Sequence, residues 1–110
     1  MAAPVKVTFC IYDKPDNVGG PVSWVQRLFP ALREHGIEAR CLSLMHWGET
    51  GPAVSALQSQ GFDCKATGAY SNTEDRVKWI LARLVEDPPD VFVPNLVVAG
   101  YFAARRVRAW

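Results

Sequence analysis

The residues best equipped for chemistry stand in short polar stretches that follow apolar runs. The first is Asn17-Val18-Gly19-Gly20, between the run Val5-Lys6-Val7-Thr8-Phe9-Cys10-Ile11 and a long apolar-faced segment opening on Pro21. A strand, a glycine turn and a helix start in that order leave several backbone N–H groups unpaired at the positive end of a helix dipole. That is a natural seat for an anionic group. The glycines would let a phosphate or sugar reach the backbone with no Cβ in the way. The same pair also serves as a tight turn that binds nothing. His46 and Trp47 follow the second apolar run, and Asn95 the fourth. His46 could act as a general base, although no partner for it is in view. Trp47 could stack on a sugar or base, or simply cover the helix below it. His35 reads as a favourable charge at a helix end, not a ligand.

Other chemistries lack their residues. No G-x-G-x-x-G follows the first run and no G-K-[ST] occurs, so neither dinucleotide nor nucleoside triphosphate binding is indicated. Asp13 and Asp16 form no metal cluster with another acidic loop residue, and no nucleophile–base arrangement is visible. The third run ends in Lys65-Ala66-Thr67, without the carboxylates a phospho-receiver needs. The 110 residues are 49% hydrophobic and 21% charged with a net charge of +1, enough for one small core over residues 1–110. That balance gives no electrostatic footprint for nucleic acid. Cys10, Cys41 and Cys64 are odd in number, show no Cys-x-x-Cys spacing and fall in apolar runs. They fit core positions in a reducing cytoplasm better than a disulfide framework or a zinc site. No signal peptide is visible. The apolar tract from Val91 to Ala104 is interrupted and falls short of the roughly 20 residues a membrane span needs.

Around these stretches the chain alternates two patterns. A strand at Val5–Ile11 precedes a helix from Pro21, whose stripe Trp24, Val25, Leu28, Ala31, Leu32 faces the core. Pro30 removes a helical bond to the Gln26 carbonyl and predicts a kink in one helix rather than two helices. Gly36 supplies the cap. A strand at Ile37–Leu44, a helix at Ala53–Gln60 and a mixed, edge-like strand at Phe62–Thr67 come next. Ser71-Asn72-Thr73-Glu74 reads as a capping box with Ser71 as N-cap, opening a helix striped by Val77, Ile80, Leu81, Leu84 and Val85. Asp87-Pro88-Pro89 stops it. Asp90–Val93 is a continuous apolar strand, the pattern of one covered on both faces, and Leu96–Trp110 a last helix, basic at its end. No internal repeat stands out.

Four strand–helix units of roughly 25 to 30 residues predict right-handed crossovers and a Rossmann-like open parallel sheet flanked by helices. With the order 3-2-1-4, ligands belong beyond the carboxyl ends of the strands, where the order reverses between the first and fourth. Asn17, Gly19, Gly20 and Asn95 flank that point, while His46 and Trp47 follow the second strand at the same edge. These six are the candidate substrate-binding residues. No residue is assigned a catalytic role.

Asn17-Val18-Gly19-Gly20, with Leu28-Phe29-Pro30-Ala31-Leu32-Arg33-Glu34-His35-Gly36-Ile37-Glu38-Ala39 and the later Pro89-Asp90-Val91-Phe92-Val93-Pro94-Asn95, resembles the amino-terminal region of family 4, GT-B fold glycosyltransferases. The likeness covers most of this chain but only the first part of such an enzyme. The family's usual Gly-His before the second strand is Gly36-Ile37 here. The resemblance implies an acceptor-side, truncated domain that is inactive alone and needs a carboxyl-terminal domain to hold the nucleotide-sugar donor. It implies a sugar or lipid acceptor and places Gly19 and Gly20 by the donor's diphosphate. No other cofactor is expected, nor a nucleic acid partner. A cytoplasmic location, compatible with peripheral attachment at the inner membrane face, goes with it. The fourth strand would lack a neighbour, which favours a homodimer through its open edge. The contrasting expectation is a non-catalytic α/β ligand-binding or protein-interaction module.

Overall fold

The computed structural model describes residues 4–12, 20–44, 51–67, 72–94 and 98–107. Four strands and four helices alternate: β1 (Lys6–Ile11), α1 (Gly20–Glu34), β2 (Glu38–Ser43), α2 (Pro52–Ser59), β3 (Asp63–Ala66), α3 (Thr73–Glu86), β4 (Val91–Val93) and α4 (Val98–Val107). The sheet is parallel throughout in the order β3-β2-β1-β4. The fold class expected from the alternating pattern is therefore the observed one.

Period-two alternation sends the two faces of β1 into separate cores. Phe9 and Ile11 join Val22, Val25 and Phe29 of α1 and Val54 and Leu57 of α2. Cys10 joins Leu42, Leu44, the α3 residues Val77, Ile80 and Leu84, and Ala99 and Ala103 of α4. The result is a three-layer sandwich with α1 and α2 on one face and α3 and α4 on the other. Full burial of each large apolar side chain contributes roughly 1.5–3 kcal/mol. Phe29 forms the hub of the first layer, its ring 5.3 Å from Phe9 and 5.2 Å from Phe62.

Several expected details change. The buried line of α1 is Val22–Val25–Phe29, so Trp24 is 51% exposed rather than facing the core. Ala31 is exposed as well, and Leu28 and Leu32 are half-buried. The reason is geometric: α1 meets the sheet through the row i, i+3, i+7, and Trp24 lies on its flank. Val85, placed in the stripe of α3, is exposed because that helix touches its neighbours through Val77, Ile80 and Leu84. The N-cap of α3 is Asn72, not Ser71. The Asn72 side chain accepts from the Asp75 N–H at 2.8 Å, and its Nδ2 donates to the Asp75 carboxylate at 3.2 Å. β4 lies at the edge of the sheet and sends Phe92 to one core and Val93 to the other, so both faces are covered there, as expected, although Val91 at its start is half-exposed. As expected, α1 continues as one helix through Pro30.

Two joints share one construction, built on the capping glycines Gly36 and Gly61. Leu32-x-x-x-Gly36-Ile37-Glu38 and Leu57-x-x-x-Gly61-Phe62-Asp63 repeat the same pattern. In the first, Ile37 donates to the Leu32 carbonyl at 2.9 Å and Gly36 to that of Arg33 at 3.0 Å. In the second, Phe62 donates to Leu57 at 3.1 Å and Gly61 to Gln58 at 3.0 Å. Both glycines have positive φ, 75° and 87°. These are Schellman caps: the reversed turn ends each helix, closes its last carbonyls and aims the chain into the next strand.

Candidate functional site

The topology singles out the carboxyl edge of the sheet. β1 pairs with β2 on one side and β4 on the other, so the connections leaving it diverge. The β1–β4 boundary is the point of reversal, and beyond its carboxyl end lies the crevice where open α/β sheets bind ligands. α1, which follows β1, begins at Gly20. Gly20 is thus the first residue of a helix that starts beyond β1, where free N–H groups and the positive dipole end meet. Asn17, Gly19, His46, Trp47 and Asn95 lie outside the described residues. By chain order they belong to the connections that leave β1, β2 and β4.

One side chain expected in the core stands near this edge instead. Trp24 is one turn beyond the start of α1, and its ring meets Phe9 of β1 edge-on, with centroids 6.2 Å apart and planes at 71°. About half of it remains exposed, leaving an indole surface near the reversal point.

The opposite edge carries a cleft of about 440 Å³ at the amino ends of β2 and β3, bordered by Arg33, Ile37, Glu38, Phe62 and Asp63. Its wall derives from the two glycine caps. The Arg33 guanidinium lies 3.8 Å over the Phe62 ring and donates to the Gln60 carbonyl at 2.7 Å. Here Arg33 ties the end of α1 to the end of α2, which accounts for the cleft as a by-product of two capped joints. Its two carboxylates also oppose the anion chemistry expected of this chain.

Charged groups gather behind that edge, under the end of α3. Arg40 is 5% exposed although it sits in a central strand. Its Nη1 pairs with the Asp87 carboxylate and donates to the Asp87 carbonyl at 3.2 Å. Lys6 reaches the same carboxylate at 3.5 Å. The hydrogen bond from Arg40 holds the Asp87 carboxyl below its ordinary range, and the positive charges of Arg40 and Lys6 add to the effect. Across the sheet–helix boundary, Glu86 pairs with Arg83 at 2.9 Å and Lys65 at 3.9 Å. Far from this cluster, Arg106 grips Glu74 through two bonds of 3.1 Å, which lowers the Glu74 pKa and fastens α4 to the start of α3. Arg40 was missed because strand alternation alone treats it as one of the outward residues. The available signal was its position in a strand with a neighbour on each side, where both faces are covered.

Cys10, Cys41 and Cys64 are all buried. Burial pushes the Cys10 thiol up to about 12, which removes it as a nucleophile. Among the described residues no group of three His, Cys, Asp or Glu side chains could hold a metal, and no helix is long and apolar enough to cross a membrane. No family model, no curated protein and no solved structure matches this chain.

Proposed function

We propose that this chain is the acceptor-side portion of a nucleotide-sugar-dependent glycosyltransferase, holding a sugar or lipid acceptor and completed by a second, donor-binding domain. The observation that carries the reading is the start of α1 at Gly20 beyond β1, beside the reversal in a 3-2-1-4 parallel sheet. There the backbone offers donors and positive dipole to a diphosphate, while Trp24 offers an apolar surface to a sugar ring. Asn17, Gly19, His46, Trp47 and Asn95 are the further contacts this reading assigns, and the nucleotide sugar is bound chiefly by the other domain. In isolation the chain transfers no sugar. The test uses the natural gene product carrying both domains. Gly20→Val should depress turnover far more than stability; a fall in melting temperature with unchanged turnover per folded molecule refutes the reading.

A second reading is a protein-interaction module, favoured by one observation. Among the described residues β4 pairs only with β1, and Val91, Tyr101 and Phe102 are each about half exposed. An open strand edge beside exposed apolar groups recruits another chain, here a second copy. Sedimentation at micromolar concentration separates the two readings: a dimer that lacks any sugar or nucleotide binding supports the module.

A further inference from the structure

A small cavity of about 20 Å³ lies between the sheet and the carboxyl end of α3. Thr8, Arg40, Asp63, Lys65, Arg83 and Asp87 are among the residues around it. Its size suits one occupant of about the dimensions of a water molecule, which needs roughly 10–15 Å³. Two independent features describe what that occupant should be.

The first is a set of unanswered donors. Arg40 is nineteen-twentieths buried, with 5% of its surface exposed, and its Nε and Nη2 are both buried without a partner. Its Nη1 alone serves Asp87. Nε and Nη2 form one edge of the guanidinium plane, and their two N–H bonds run side by side toward a common acceptor. The Nε of Arg83, which also borders the cavity, is buried and unpaired too. A buried donor left without an acceptor is costly, and two on the same edge of a full positive charge more so.

The second feature is charge. The cavity walls carry three cations, Arg40, Lys65 and Arg83, against two carboxylates, Asp63 and Asp87. Just outside, Glu86 on Lys65 and Arg83 is offset by Lys6 on Asp87. Lys6, Asp87, Lys65 and Glu86 are 38–51% exposed and answered in part by solvent, whereas the Arg40 side chain, 6% exposed, is the buried cation of the set. The carboxyl end of the α3 dipole opposes an anion, but Arg40 already answers the last carbonyl there by donating to Asp87.

From these features we infer that the cavity between β2, β3 and the end of α3 is a binding site for one small monovalent anion of halide size, chelated by the Nε–Nη2 edge of Arg40 and completed by Arg83. A neutral water could accept two of these bonds, whereas an anion also answers the positive charge of the buried guanidinium edge. The bound anion fastens the last turn of α3, through Arg83 and Asp87, to β2 and β3.

The experiment replaces chloride with bromide in crystals of the full chain and locates the anomalous signal. A bromide peak between Arg40 and Arg83 is expected, together with a melting temperature that rises saturably with sodium chloride but not with sodium gluconate at equal ionic strength. Arg40→Met should abolish both. If that variant does not fold, Arg83→Met leaves the buried arginine in place and should raise the chloride concentration for half-maximal stabilisation by tenfold or more. Chloride and gluconate acting alike, or density without an anomalous signal, identifies the occupant as water and overturns the proposal. A bromide peak without any chloride-specific stabilisation marks an adventitious ion only, and overturns it as well.

Discussion

Replacing Phe29 by alanine probes the joint that holds the first layer together. The side chain is fully buried on α1, with aromatic neighbours at 5.3 Å from β1 and at 5.2 Å from Phe62, just before β3. Truncating a core phenylalanine costs about 3–5 kcal/mol, as transfer energy plus the cavity left behind. The site cannot collapse freely, because the Gly36 cap fixes the end of α1 and the sheet fixes Phe9. The expected loss is therefore about 4 kcal/mol. A domain of this size unfolds with an entropy of about 0.23 kcal/mol/K at roughly 2.1 cal/mol/K per residue, so the melting temperature should fall by about 17 °C. Calorimetry and urea unfolding, compared with Leu28→Ala at a half-buried position, measure it. A loss below about 1.5 kcal/mol, or one no larger than that of Leu28→Ala, would refute the placing of Phe29 at the hub.

Smaller perturbations test the local devices. Gly36→Ala and Gly61→Ala should each cost about 1–2 kcal/mol, since both positions require positive φ; urea midpoints read the two losses separately and together. Asn72→Ala should cost about 1 kcal/mol by removing the N-cap of α3, measured in the same way. Asp87 has a folded pKa lowered from 3.8, so its pairing with Arg40 stabilises the fold above that pH and loses the effect as the pH falls through the folded value. Asp87→Asn should consequently flatten the melting-temperature profile below about pH 4. With all three cysteines buried, iodoacetamide should label none at neutral pH until the chain unfolds, a result read by mass spectrometry.

Most of the architecture was legible because it rests on alternation and apolar periodicity, which survive in a single sequence. Strand–helix repetition fixes parallel pairing through crossover handedness, and the glycines at 36 and 61 announce their caps. What failed was choice between near-equivalent local signals. Ser71 and Asn72 both suit an N-cap, and each is followed three residues later by an acid, so pattern alone could not place the cap within one residue. Trp24 and Val85 belong to stripes drawn too wide. Which edge of an apolar stripe meets the sheet depends on the tilt of the helix, a tertiary fact. Arg40 was overlooked for a similar reason, since its burial follows from the strand order and from Asp87, which is 47 positions away in the chain. At the candidate site, the reversal point and the start of α1 followed from the topology, whereas the chemistry of Asn17, His46, Trp47 and Asn95 depends on residues outside the described structure.

The proposal that ligands bind at the carboxyl edge can be tested through the glycine amides, which lie near both ends of the sheet and resolve well in nitrogen–proton correlation spectra. Inorganic pyrophosphate and a panel of simple sugars would be titrated into labelled protein at millimolar concentration. Shifts concentrated at Gly19 and Gly20, with the Trp24 indole N–H moving when sugars are added, are the predicted result. Shifts confined to Gly36 and Gly61 would place binding in the cleft at the opposite edge, and no shift at Gly20 with either class of probe would contradict the account.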